Sequence, residues 1–197
     1  MLVFSGCAQA PQRPAWRYLQ RPTVRVAILP AINSTTKPGA QIIVDKAWED
    51  NLRNAGFSVV DADSVVTYAS SRSMRLDSLE KVPTDSLGRD LSVDFILEDE
   101  IIDWGTHYQV IQSVSSVSCR SRLIEAKTGA TVWTFDWFMS DQDNNSGGGI
   151  VGALANAVVK AVADSMFDEP TRLAQQGITI VGTTQPYPGI APPAAPQ

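Results

Sequence analysis

Apolar and polar residues alternate over much of the stretch from Val93 to Phe138, the spacing that sends successive side chains to opposite faces of a strand. Tyr108–Val114 runs into Val117–Ile124, rich in β-branched residues, and Thr131–Phe138 repeats the pattern. Between them, Glu125-Ala126-Lys127-Thr128-Gly129-Ala130 offers a glycine that tolerates positive φ, so the sequence predicts a β-hairpin. Val93–Leu97 reads as a central strand that Glu98-Asp99-Glu100 interrupts before Ile101–Trp104. Val93–Trp104, Tyr108–Ile124 and Thr131–Phe138 are therefore expected to form an antiparallel meander.

The first half alternates strand and helix. Val24–Leu29 is a strand stopped by Pro30, and Phe57–Val60 is a second. Between them Val44, Ala47, Trp48, Leu52 and Ala55 recur on one face of a helix over Gln41–Asn54, with Asp45, Lys46, Glu49 and Asp50 elsewhere and Gly56 as its stop. Asp63 is expected to cap a helix over Ser64–Ser71, and Thr84 or Asp85 to start a short one over Ser86–Asp90. Near the end, Val151, Leu154, Val158, Ala161, Val162 and Met166 make an apolar stripe on a helix over Ile150–Phe167. Beyond Pro170 the pattern thins, with Thr179-Ile180-Val181 as a candidate edge strand and a Pro/Ala-rich end from Gln185 to Gln197.

Composition narrows the class. The 197 residues are 44% hydrophobic and 19% charged, a balance that suits one globular domain with a sizeable core. A net charge of -5 and no cluster of Lys and Arg argue against nucleic-acid binding. No apolar run approaches the roughly 20 residues of a membrane-spanning helix.

The chain opens Met1-Leu2-Val3-Phe4-Ser5-Gly6-Cys7-Ala8-Gln9, an apolar stretch closing on small residues and a cysteine. It resembles the end of a bacterial lipoprotein signal peptide, in which Cys7 accepts the lipid and becomes the first mature residue. The basic and longer apolar parts of such a signal are expected upstream of Met1. Ala8, rather than an aspartate, follows the cysteine and favours outer-membrane sorting. Residues 8–22, with Pro11, Pro14 and Pro22, read as an extended tether.

Little else carries chemistry. Of the two cysteines, Cys119 has no intrachain partner once Cys7 is acylated and is expected as a small buried hydrophobe. The single His107 lacks metal-ligand spacing and reads as a strand-end or loop histidine. Glu98-Asp99-Glu100 could hold a hard cation, but only Glu98 and Glu100 would share a face. Asp77, Glu80, Arg75 and Lys81 read as a solvated charged surface. Asn144-Asn145-Ser146-Gly147-Gly148-Gly149 opens a helix as phosphate loops do, yet the Lys-Ser/Thr pair is absent and Lys160 lies inside the helix.

Three stretches occur in order: Val24–Ser34, Leu87–Leu97 and Leu123–Trp133. Together they resemble the envelope lipoprotein superfamily that includes the curli-secretion channel lipoprotein and the amino-terminal domain of the TolB protein. Trp104–Ile111 and Asn144–Gly152 narrow the resemblance to the lipoprotein family first noted as meningococcal vaccine-antigen candidates. The resemblance spans Arg21 to Thr183. It implies a periplasm-facing, lipid-anchored α/β domain that self-associates, and it brings no catalytic residues.

The expected organisation is a truncated signal over 1–7, the tether over 8–22, one α/β domain over 23–183 and a disordered tail over 184–197. The domain should hold a mixed sheet of about five strands, with the meander in its C-terminal half and helices packed on the sheet. The function expected is that of a non-enzymatic outer-membrane lipoprotein, palmitate-bearing at Cys7, acting as a homodimer or larger homo-oligomer through protein contacts in envelope assembly, secretion or transport. No catalytic residue, cofactor or metal is assigned. The alternative is a periplasmic small-ligand-binding accessory of a transporter, which needs a pocket lined by Trp and Tyr.

Overall fold

Each strand in the structure follows from where its alternating side chains find cover. The computed structural model describes residues 24–108, 113–141 and 168–184. The elements run β1 (Arg25–Ile28), β2 (Ile32–Asn33), α1 (Ala40–Asn54), β3 (Ser58–Val60), α2 (Ala62–Ser71), a 3-10 turn (Leu76–Lys81), α3 (Thr84–Leu91), β4 (Phe95–Tyr108), β5 (Ser113–Glu125), β6 (Thr131–Ser140) and α4 (Glu169–Thr184). They build one α/β domain around a six-stranded mixed sheet in the order β3-β1-β4-β5-β6, with the short β2 also on β4. β1 lies parallel to both β3 and β4, while β4, β5 and β6 are antiparallel. The expected antiparallel meander is present, and the first part of the sheet is parallel.

The hairpin turns at the predicted glycine. Gly129 takes φ 71°, Glu125 donates its backbone N–H to Ala130 at 2.9 Å, and Gly129 donates back to Glu125 at 2.9 Å. Helix α1 buries Ala40, Val44, Trp48 and Leu52. It ends at Gly56, whose φ of 90° suits only glycine well, with Phe57 N–H returning to Leu52 O at 3.0 Å.

Helices cover both faces of the sheet. On one face α1 and α4 enclose Val26, Ile28, Leu97, Ile101, Trp104, Val117, Leu123 and Trp137. On the other, α2, the 3-10 turn and α3 cover Ala27, Leu29, Ile96 and Ala126. That second cover spans the start of β4 and leaves the outer parts of β4, β5 and β6 without a described helix above them.

Four expectations are corrected. Glu98-Asp99-Glu100 does not interrupt the strand: β4 runs unbroken through it, because β5 supplies a partner opposite each of the three. Thr179-Ile180-Val181 lies in α4, not in an edge strand. Tertiary burial of Leu173, Ala174, Ile178 and Val181 outweighs local strand preference there, and Pro170 sits in the first turn, where a missing N–H is tolerated. The cap of α2 is Asp61, which accepts the Ser64 N–H at 2.8 Å, rather than Asp63. Helix α3 begins at Thr84 after Pro83 and has no side-chain cap. The helix expected over Ile150–Phe167, the glycine-rich loop, the tether and most of the tail lie outside the described residues.

Candidate interaction surface

The long meander sets up a cross-strand ladder on its open face. Successive residues of a strand point to opposite sides, so Glu98 and Glu100 share the face away from α1, and β5 places Arg122 and Arg120 directly opposite them. β6 then sets Asp136 opposite Arg120. The resulting ion pairs measure 2.8 Å for Arg122–Glu98, 3.5 Å for Arg120–Glu100 and 3.0 Å for Arg120–Asp136. Ser34 donates its hydroxyl to Glu100 at 3.2 Å. Burial raises the Glu98 carboxyl above its ordinary range, with Arg122 opposing that shift. Glu98 and Glu100 each already face a guanidinium of the same chain, and this is why their expected convergence does not make a cation site.

Apolar side chains flank the ladder. Ile32 is 42% exposed, Leu76 46%, Ile102 44% and Phe138 54%. Ile32 sits on β2 opposite Glu100. Ile102 follows buried Ile101 and so points outward by alternation; it is the residue left unpaired at a bulge where the β4–β5 register shifts between Ile101 and Asp103. Two adjoining hollows lie at the Ile32 end. One of about 150 Å³ is walled by Leu29, Pro30, Leu76 and Leu79, and one of about 280 Å³ by Glu80, Glu100, Arg120 and Arg122. Ile32, Glu80, Glu98 and Asp99 border both. Exposed apolar groups among paired charges form a surface suited to another protein.

The opposite face of the same strands holds the acids that sequence reasoning missed. Asp99, between the two ladder glutamates, points inward and is 4% exposed. Ser121 donates its hydroxyl to Asp99, and the Trp48 indole N–H faces the same carboxyl. Burial pushes Asp99 up to about 7. Asp45, expected on the polar side of α1, instead accepts the Ala31 N–H at 3.0 Å, and burial pushes it too up to about 7. Alternation around Glu98-Asp99-Glu100 was the signal for Asp99: if the outer two face solvent, the middle one faces the core. Cys119 is buried as expected, and burial pushes its thiol up.

His107 lies near the end of β4, where its Nε2 is 3.2 Å from Asp103 Oδ2. Ser116 donates its hydroxyl to that same oxygen at 2.5 Å. The three residue types are those of a hydrolase triad, but the order is wrong: the carboxylate stands between serine and histidine, so the imidazole does not touch the hydroxyl. Arg75 and Asp77 form an exposed ion pair at 2.6 Å, as a solvated surface requires. Among the described residues no group of three His, Cys, Asp or Glu side chains gathers to hold a metal. Of the four described tryptophans, 48, 104 and 137 are buried in the core and Trp133 is half-buried against it; none of them walls the two hollows. Cys7 lies outside the described residues.

The model of the family described as "Putative lipoprotein GNA1162-like" matches residues 18–186. A curated relative from Neisseria meningitidis serogroup B, described as "Putative lipoprotein NMB1124/NMB1162", is 26% identical over 171 residues, covering 85% of this chain and 80% of its own length. The crystal structure of lipoprotein GNA1162 from Neisseria meningitidis superposes with a TM-score of 0.58 at 25% identity, over 72% of this chain and 99% of that one. PelC from Paraburkholderia phytofirmans, crystallised as a dodecamer, shares the fold with a TM-score of 0.52 at 16% identity, over 86% of this chain and 90% of that one.

Proposed function

Because the chain belongs to the GNA1162-like lipoprotein family, we propose that it is a non-enzymatic lipoprotein of the bacterial outer membrane, anchored by lipid on Cys7 and facing the periplasm. Residues 8–22 tether the domain to the membrane. The domain works through protein–protein contacts in envelope assembly, secretion or transport, and does so as a homo-oligomer, a homodimer in the simplest case. The crystallised dodecamer of PelC, a protein of the same fold, supports the self-association in this reading.

The observation that carries the reading is the open face of β4, β5 and β6. Four large apolar side chains stand exposed around a charge ladder that has satisfied itself internally. A catalytic site would keep polar groups unpaired and poised; this face offers apolar contact area beside charges already held in ion pairs. The test is site-specific photo-crosslinking in cells that make the lipidated protein. A photoreactive residue at Phe138 is expected to capture envelope proteins. The same residue at Ile42, 68% exposed on α1, should capture far less. Equal capture from both positions, or none from Phe138, would remove the assignment of this face.

A further inference from the structure

The helical cover on the open face of the sheet ends beside the 3-10 turn, and there the surface steps down onto bare strands. The apolar hollow of about 150 Å³ lies at that step, between Leu76 and Leu79 of the turn and Pro30 and Ile32 of the β1–β2 segment. Leu76 and Ile32 are both exposed. The acids at its mouth are not all matched. Asp77 is held by Arg75 at 2.6 Å, Glu98 by Arg122 at 2.8 Å and Glu100 by Arg120 at 3.5 Å. Glu80 borders both hollows, is exposed, and stands in no ion pair among the described residues. Burial raises the Glu98 carboxyl, Arg122 opposes the rise, and the nearby Glu80 charge adds to it. Open apolar area therefore lies beside a negative charge that nothing described here compensates.

We propose that this corner receives a segment of a partner protein that lays one apolar side chain in the hollow and a lysine or arginine beside it, between Glu80 and Glu98. The proposal rests on the protein-contact function above and gives that contact a chemistry. Size argues for a single side chain. An apolar cavity of about 150 Å³ has room for a group as large as benzene, whereas small-molecule pockets run from roughly 300 to 1,000 Å³. Charge argues for a cation next to it. Arg120 and Arg122 are already engaged by Glu100, Asp136 and Glu98, so an acidic partner would have to break those pairs and would also meet Glu80. A basic group breaks none of them and relieves the repulsion between Glu80 and Glu98. The two hollows share Ile32, Glu80 and Glu98, so both side chains must leave the same face of the segment. Two residues apart in an extended segment, or three to four apart in a helix, meets that condition. An anchored apolar group with a charge at its rim is the usual anatomy of a protein contact.

The experiment uses the full chain with Cys7→Ser and a phage-displayed library of random peptides. Peptides are selected on this chain and counter-selected on its Leu76→Ser variant, so that those reading other surfaces are discarded. The survivors are expected to pair an apolar residue with a lysine or arginine at one of the two spacings above. Fluorescence anisotropy of a labelled survivor should show Glu80→Lys weakening its binding about tenfold. The same peptide with its basic residue changed to glutamate should bind Glu80→Lys better than it binds the parent. Leu76 and Glu80 are both exposed, and an unchanged urea midpoint confirms that each variant is folded. Survivors without a basic residue, binding indifferent to Glu80→Lys, or no survivors at all would overturn the proposal. So would self-association of the parent that Glu80→Lys abolishes, since the occupant would then be a second copy. Crosslinks from Phe138 to envelope proteins that persist in Glu80→Lys and Leu76→Ser would leave the contact function standing while this corner lost its part in it.

Discussion

Replacing Asp99 by asparagine should change how stability depends on pH, and by an amount the structure sets. Asp99 is lifted from the 3.8 of an ordinary aspartate to about 7, chiefly by burial, against the opposing bonds from Ser121 and Trp48 and with the help of nearby Asp45. A carboxyl raised in the folded state keeps its proton where the unfolded chain has lost it. Its contribution to stability is whole below about pH 4 and is lost as pH rises through 7. A shift of about three units corresponds to a swing on the order of 4 kcal/mol. The asparagine amide cannot ionise. The stability of the Asp99→Asn protein relative to the parent should therefore climb by that order between pH 4 and pH 8, whatever fixed cost its amide pays beside Ser121 and Trp48. Urea unfolding followed by tryptophan fluorescence, in half-unit steps of pH, measures it, and the carboxylates that do not interact with Asp99 cancel in the difference. A difference that stays flat across the range would refute the buried, protonated Asp99. Asp45→Asn keeps an oxygen for the Ala31 N–H and should show a slope of the same sign.

Two further outcomes follow from packing and capping. A Cβ on Gly177 would come within 2.6 and 2.8 Å of the Trp137 ring and 3.0 Å of Met139, so Gly177→Ala should cost about 1–3 kcal/mol in urea unfolding by lifting α4 off the sheet. Asp61→Ala removes the acceptor for the Ser64 N–H and should cost about 1 kcal/mol at pH 7. The Ser64 bonds hold the Asp61 carboxyl below its ordinary range. That loss should therefore fade as pH falls through the depressed titration and the native carboxylate is protonated.

The meander and α1 were legible because their apolar residues recur at strand and helix spacing. Val44, Trp48 and Leu52 all reach the core from helical spacing, and Thr128-Gly129 marks its own turn. β4 was read as broken because three consecutive acids look like a loop. Only the pairing partners Arg122, Ser121 and Arg120, distant in sequence, explain why a strand can hold them. Helix α4 was hidden for a related reason. Gly177 and Gly182 lower its intrinsic helicity, yet each is there because a side chain would strike Trp137 or Asn51. Thr179-Ile180-Val181 then looks more like strand than helix until the tertiary contacts are known. Of the candidate surface, Glu98 and Glu100 were singled out for the wrong chemistry, and Phe138 and Ile102 were not singled out at all. Exposure at the outer meander depends on which residues the smaller helices leave uncovered, and no local pattern records that.

The claim on which the account turns is attachment to the envelope through Cys7. The native reading frame, with any codons upstream of Met1, should be expressed in a Gram-negative host, and the mature protein examined by membrane fractionation and intact-mass spectrometry. The account predicts an amino terminus at Cys7 carrying diacylglycerol and a palmitoyl chain, recovered with the outer membrane. A soluble protein with Cys7 unmodified would contradict it and leave the open face of the sheet without the membrane setting proposed for it.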